Sequence, residues 1–156
     1  MLFFHINDTM IYKLRFLIVY NNMNESFLEA LKKRVLLFDG AMGTEIQKLN
    51  PQPQDFPNNK DGFNDGLILS RPEWIKQIHR SYLKAGADCI ETNTFGGNKF
   101  KLDEYGYGDQ TIEFNKRAAE LAREVCDEFH DKPHFVIGSM GPSGFLPSSN
   151  DPDLGQ

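Results

Sequence analysis

Cysteine is scarce in this chain. Two occur in 156 residues, Cys89 and Cys126, which excludes a disulfide-stapled scaffold. No CxxC and no HExxH spacing is present, so the familiar zinc-finger and metalloprotease patterns are excluded too. Basic charge is not in excess: 17 Lys and Arg stand against 22 Asp and Glu, a net charge of -5. That argues against a nucleic-acid footprint and is ordinary for a cytoplasmic enzyme. Long apolar runs are missing as well. The run over residues 16–20 is too short to span a bilayer, so no membrane partner is expected. Asn21, Asn22, Met23 and Asn24 do not make a signal-peptide cleavage site. Residues 1–24 therefore read as an extension ahead of the domain, with Met23 an alternative start. Internal repeats and low-complexity tracts are not found.

What is there is a pattern repeated three times. An apolar run ends in a polar, glycine-bearing turn, and helical periodicity follows the first two. The runs are VLLF leading to Asp39-Gly40-Ala41-Met42-Gly43, DCI leading to Glu91-Thr92-Asn93-Thr94, and HFVIG leading to Ser139-Met140-Gly141. Strands alternating with helices predict an α/β fold with a parallel sheet. In such folds chemistry gathers at the C-terminal ends of the strands. Strands are expected near residues 35–39, 88–92 and 134–138, parallel and adjacent in that order.

Local signals fill in the helices. Ser26 with Glu29 predicts a capping box and a helix over 26–33. Residues 43–47 suggest a brief helical turn. Residues 50–65 carry three prolines with many Asn and Asp and read as a long loop. Ser70 with Pro72 and Glu73 marks a helix start, with Trp74, Ile78, Tyr82 and Ala85 at helical spacing, Ile75 alongside, and Gly86 closing it. Another turn is expected over 99–105. A longer helix over 110–129, started by Asp109 or Thr111, carries the stripe Phe114, Ala118, Leu121, Ala122, Val125 and Phe129.

Asp39-Gly40-x-x-Gly43 is the sharpest site candidate. A carboxylate at a strand end can face a cationic group while the flexible backbone approaches a ligand. The same residues can equally serve as a capped turn. It is not a phosphate loop, because GAMGTE lacks both the Lys-Ser/Thr ending and the GxGxxG spacing. Glu91, Thr92, Asn93 and Thr94 are unusually polar for a buried strand end. They need either a ligand or a mutual hydrogen-bond network. Cys89 and Cys126 read as small buried hydrophobes. His130 and His134 are separated by Pro133 and share no helical face. His79 reads as structural or solvated, and no nucleophile–base constellation is evident.

VLLFDGAMGTEIQ, NDGLILSRPEWIKQIHRSYLKAGADCIETNTFGGN and VIGSMGPSG together resemble the homocysteine-binding domain of cobalamin-dependent methionine synthase, over residue 34 onward. The resemblance implies a partial (β/α)8 TIM barrel, about the first three β/α units, in residues 25–156. It implies a homocysteine S-methyltransferase, with zinc holding the homocysteine sulfur as a thiolate and methylcobalamin as methyl donor. It also implies cobalamin and folate modules as partners in the full-length protein. Asp39 would help hold the homocysteine amino group, Gly40 would line the amino-acid end, and Thr92, Asn93 and Thr94 would line the same mouth. The family's three zinc-binding cysteines lie on later strands without counterparts here. The expectation is therefore an N-terminal portion that is catalytically incomplete, has no catalytic or metal residues of its own, and binds no zinc alone. Two other readings are a portion of a betaine- or S-methylmethionine-dependent homocysteine methyltransferase, and a non-catalytic subunit paired with a separately encoded barrel remainder.

Overall fold

The structure is a computed structural model and describes residues 25–144. The expectations for residues 1–24, and for 145–156 of the domain, lie outside the described residues. The order is helix α1 (Phe27–Lys33), α2 (Met42–Lys48), three short 3₁₀ turns, α3 (Leu67–Ser70), α4 (Pro72–Lys84), strand β1 (Cys89–Glu91), α5 (Lys99–Asp103), a further 3₁₀ turn, α6 (Thr111–Cys126) and β2 (Phe135–Ile137).

β1 and β2 pair in parallel, with Cys89 opposite Phe135 and Glu91 opposite Ile137. The first apolar run pairs in parallel with β1 on its other side, but only as a single bridge, Phe38 to Cys89. The expected order and direction are found. A full first strand over 35–39 is not: among the described residues its pairing with β1 is a single bridge rather than a continuous ladder. It carries only a few cross-links, with the N–H groups of Asp88 and Cys89 both donating to Leu37 O and that of Asp39 to Cys89 O. Asp88 reinforces the same junction. Its carboxylate accepts from Leu37 N (2.9 Å), Arg34 (2.8 Å) and Lys132 (2.7 Å), joining the approaches to all three sheet segments.

Helix α1 forms as its capping box predicts: Glu29 N donates to Ser26 Oγ, and Ser26 N donates to the Glu29 carboxylate. The helix at 70–86 starts differently. Ser70 ends α3, and Arg71 is the residue before α4, with Pro72 at its first position. Its buried face keeps the expected Ile75 and Ile78 and adds His79 and Leu83, while Trp74 and Tyr82 are half-buried and Ala85 is exposed. Helix α6 buries Phe114, Ala118, Leu121, Ala122, Val125 and Cys126. Its start at Thr111 has no side-chain cap; Asp109 is exposed, and the Thr111 hydroxyl donates to Gly108 O. Residues 50–65 are not structureless. They fold into 3₁₀ turns at Pro53–Asp55, Pro57–Asn59 and Asn64–Gly66. Phe56 and Phe63 from this stretch enter the core, where Phe63 stacks on Tyr105 at 4.0 Å between ring centroids. Burial of two phenyl rings contributes on the order of 2 kcal/mol each and fixes the loop that faces the strand ends.

Candidate functional site

The C-terminal ends of the sheet segments surround a cavity of about 550 Å³. Asp39 and Gly40 come from the first run, Glu91, Thr92 and Asn93 from the end of β1, and Ser139 from the turn after β2. Thr94 lies one step away and lines an adjoining cavity of about 520 Å³. The two cavities share Thr92, Phe95 and Ser139 as walls.

Asp39 is positioned by the sheet. Its N–H donates to Cys89 O, and both its carboxylate oxygens accept from Glu91 N at 3.1 Å. Its side chain then faces the cavity. Burial pushes the Asp39 carboxyl up to about 6, and the nearby Glu91 charge pushes the same way, against the pull of the Glu91 N–H. Gly40 follows where a side chain would crowd its neighbour: a Cβ there would lie 3.0 Å from the Tyr82 hydroxyl, which would have to give by a few tenths of an ångström. Tyr82 in turn donates to Ala41 O at 3.3 Å, so the loop rests on helix α4.

The polar end of β1 forms a closed network. Thr94 Oγ1 donates to Ser139 O at 2.8 Å, which uses its one proton. The Thr92 hydroxyl therefore donates to Thr94 Oγ1 at 2.7 Å. Ser139 N donates back to Thr92 Oγ1 at 3.0 Å, and Asn93 Nδ2 donates to Asn64 O at 2.9 Å. These groups tie the strand ends to each other and to the 3₁₀ turn at Asn64–Gly66 while walling the cavity.

Asp65 is the site residue that sequence reasoning missed. It sits in that turn, lines the cavity, accepts from Gly96 N at 2.9 Å, and has its carboxyl raised by burial. The available signal was NDG directly before an apolar helical start, obscured by the polar stretch around it. With Asp65, three carboxylates line the cavity, and no lysine, arginine or histidine among the described residues does. Carboxylates are acceptor-only groups, so this lining is suited to a cationic donor such as an ammonium.

The residues present do not fit a zinc site. No three His, Cys, Asp or Glu side chains among the described residues converge as a metal would require. Burial pushes the Cys89 and Cys126 thiols up to about 11, which keeps them protonated, whereas zinc takes the thiolate. His79 is fully buried in the helix α4 face, and burial lowers it to about 4. His134 Nε2 lies 3.2 Å from Asp131, away from the cavity. No helix among the described residues is long and apolar enough to cross a membrane.

Comparison with known proteins bears on this geometry. The pattern of the family described as homocysteine S-methyltransferase matches residues 36–155. Methionine synthase from Mycobacterium tuberculosis (strain ATCC 25618 / H37Rv) is 41% identical over 123 residues, which is 78% of this chain and 10% of that protein. Methionine synthase from Mycobacterium leprae (strain TN) is 42% identical over the same length. Among solved structures, the homocysteine methyltransferase MmuM from Escherichia coli is similar in its metallated form, with a TM-score of 0.61 and 26% identity over 73% of this chain and 40% of that one. Its oxidized form gives a TM-score of 0.64 and 25% identity, over 78% and 42%. The chain thus spans about a tenth of the length of these curated relatives.

Proposed function

The chain belongs to the homocysteine S-methyltransferase family, and on that premise we propose that its cavity is the amino-acid end of a homocysteine site. The observation that carries this reading is the Asp39 carboxylate, aimed into a cavity with two further carboxylates and no cation among its lining residues. The substrate ammonium would sit against Asp39, with the Gly40 loop at the amino-acid end. Thr92 and Asn93 would shape the wall, and Thr94 would hold the strand ends in register.

The architecture we propose is a partial (β/α)8 barrel, about its first three β/α units, forming the N-terminal part of the domain in residues 25–156. The methyl acceptor is the homocysteine sulfur and the product is methionine. Identity of 41–42% with methionine synthases, against 25–26% with MmuM, favours the cobalamin-linked reading over the betaine- or S-methylmethionine-dependent one. Folate and cobalamin modules would then belong to the whole protein. Zinc and cobalamin, which the family resemblance implies, would be held by residues other than those described. The role left to these residues is to bind and orient the amino acid. By itself the 156-residue chain would be inactive. Composition and charge are ordinary for a cytoplasmic enzyme.

The test is calorimetric titration of the 156-residue chain with L-homocysteine and with 4-mercaptobutanoate, its deaminated analogue. A charge-assisted hydrogen bond of about 1.5–3 kcal/mol predicts that Asp39→Asn weakens homocysteine binding by roughly 10- to 100-fold and leaves the analogue unchanged. Because burial raises Asp39 to about 6, wild-type affinity should fall as pH drops from 7.5 to 5, and Asp39→Asn should show a smaller fall. Equal affinity of wild type and variant for homocysteine would overturn the reading.

A further inference from the structure

We propose that Phe95 is a specificity-determining residue: a fixed aromatic wall that receives the apolar, sulfur-bearing side chain of the amino acid whose ammonium lies against Asp39. The inference rests on the amino-acid reading of the cavity and extends it to the other end of the substrate.

Phe95 is 64% exposed, yet its carbonyl and the backbone of its neighbours Thr94, Gly96 and Gly97 are hydrogen-bonded. Gly141 N donates to Phe95 O at 3.0 Å, Gly96 N donates to Asp65 Oδ1 at 2.9 Å, and Gly97 N donates to Thr94 O at 2.9 Å. The ring lies directly over Gly141. A Cβ at that position would come within 2.4 Å of Phe95 O and 2.9 Å of two ring carbons, so any larger residue there would displace the ring. An aromatic surface that is mostly open but anchored at its base is pre-organised for a contact. The ring borders both cavities at the strand ends.

The distribution of charge sets the direction of the bound molecule. Asp39, Asp65 and Glu91 attract the ammonium, whereas Met42 and Phe95 supply large apolar surface to the same cavity. A side chain directed away from the carboxylates would meet these two. A thiol or thioether gains from an aromatic neighbour, because sulfur packs favourably near a ring edge; a hydroxyl does not gain in the same way. Phe95 would therefore discriminate by side-chain length and by sulfur against oxygen.

The experiment is titration of the 156-residue chain, as wild type, Phe95→Ala, Phe95→Leu and Gly141→Ala, with L-homocysteine, L-cysteine and L-homoserine. Phe95→Ala should weaken homocysteine binding roughly tenfold, the scale of a methylene-sized apolar contact, and change homoserine less than about threefold. Phe95→Leu should fall between wild type and alanine. Gly141→Ala should reproduce the alanine variant's loss of selectivity with Phe95 still present. An equal loss for all three amino acids, or none, would overturn the inference. If Asp39→Asn abolishes binding while Phe95→Ala leaves selectivity intact, this inference fails and the amino-acid reading stands. If the wild-type chain binds homocysteine no better than glycine, the amino-acid reading itself fails, and the role of Phe95 with it.

Discussion

His79 shows how one buried residue couples stability to pH. Its ring is 0% exposed, and neither nitrogen has a hydrogen-bond partner among the described residues. Burial disfavours the imidazolium, lowering its value from 6.5 to about 4. The unfolded chain therefore binds more protons than the folded one between those limits. Stability conferred by the neutral ring is fully present above pH 6.5 and lost as pH falls toward 4, by on the order of 3 kcal/mol. His79→Leu should flatten urea-denaturation stability across that window, and an unchanged pH profile would contradict the assignment. The sequence contained this position, since Ile75, His79 and Leu83 follow one another at spacings of four. The expected stripe placed His79 at its flank, as structural or solvated, and the structure shows it fully buried. The place of Asp39 on the cavity rim was legible because a carboxylate at a strand end is locally unusual. Asp65 was not, because its neighbours are polar and only the tertiary approach of Gly96 reveals its role.

At the scale of elements, the joint at Asp88 decides how the sheet holds together. Burial alone would raise this carboxyl. The Leu37 N–H and the pairs with Lys132 and Arg34 outweigh it and hold the group down to about 2. Its side chain is 4% exposed, while those of Arg34 and Lys132 are 36% and 31% exposed, which screens the two ion pairs. Asp88→Asn should cost about 1–3 kcal/mol, below the range for breaking a fully buried pair. The folded value lies below the usual 3.8, so this contribution is present above pH 3.8 and lost as pH falls toward 2. That window lies below the one set by His79, and chemical denaturation of each variant at pH 7, 5 and 3 separates them. A loss in Asp88→Asn that is equal at all three values would contradict the joint. Elements defined by local chemistry were readable from sequence: the α1 capping box, and the stripe of α6. The first strand was overestimated because pairing depends on neighbours, which no local pattern contains. The 3₁₀ turns of residues 50–65 were missed because Phe63 is held by Tyr105 and Phe114, far along the chain, and Phe56 joins the same core.

For the whole molecule, the parallel order of the sheet and the placement of its polar ends on one rim followed from strand–helix alternation. The same logic predicts apolar surface along the outer edge of the first run, where Val35 is 83% exposed and Leu37 and Phe38 are also open. The chain covers 40–42% of the solved homocysteine methyltransferases it resembles, in keeping with the proposed partial barrel. The central claim is that the cavity at the strand ends, and not another surface, takes homocysteine by its ammonium. Its most direct test is a two-dimensional ¹⁵N–¹H titration of the labelled 156-residue chain with L-homocysteine at pH 7.5. The account predicts saturable shifts at Gly40, Ala41, Met42, Glu91 and Gly96, reduced in Asp39→Asn. Shifts confined to the opposite end of the sheet, around His134 and Phe27, or no saturable shift at all, would contradict it.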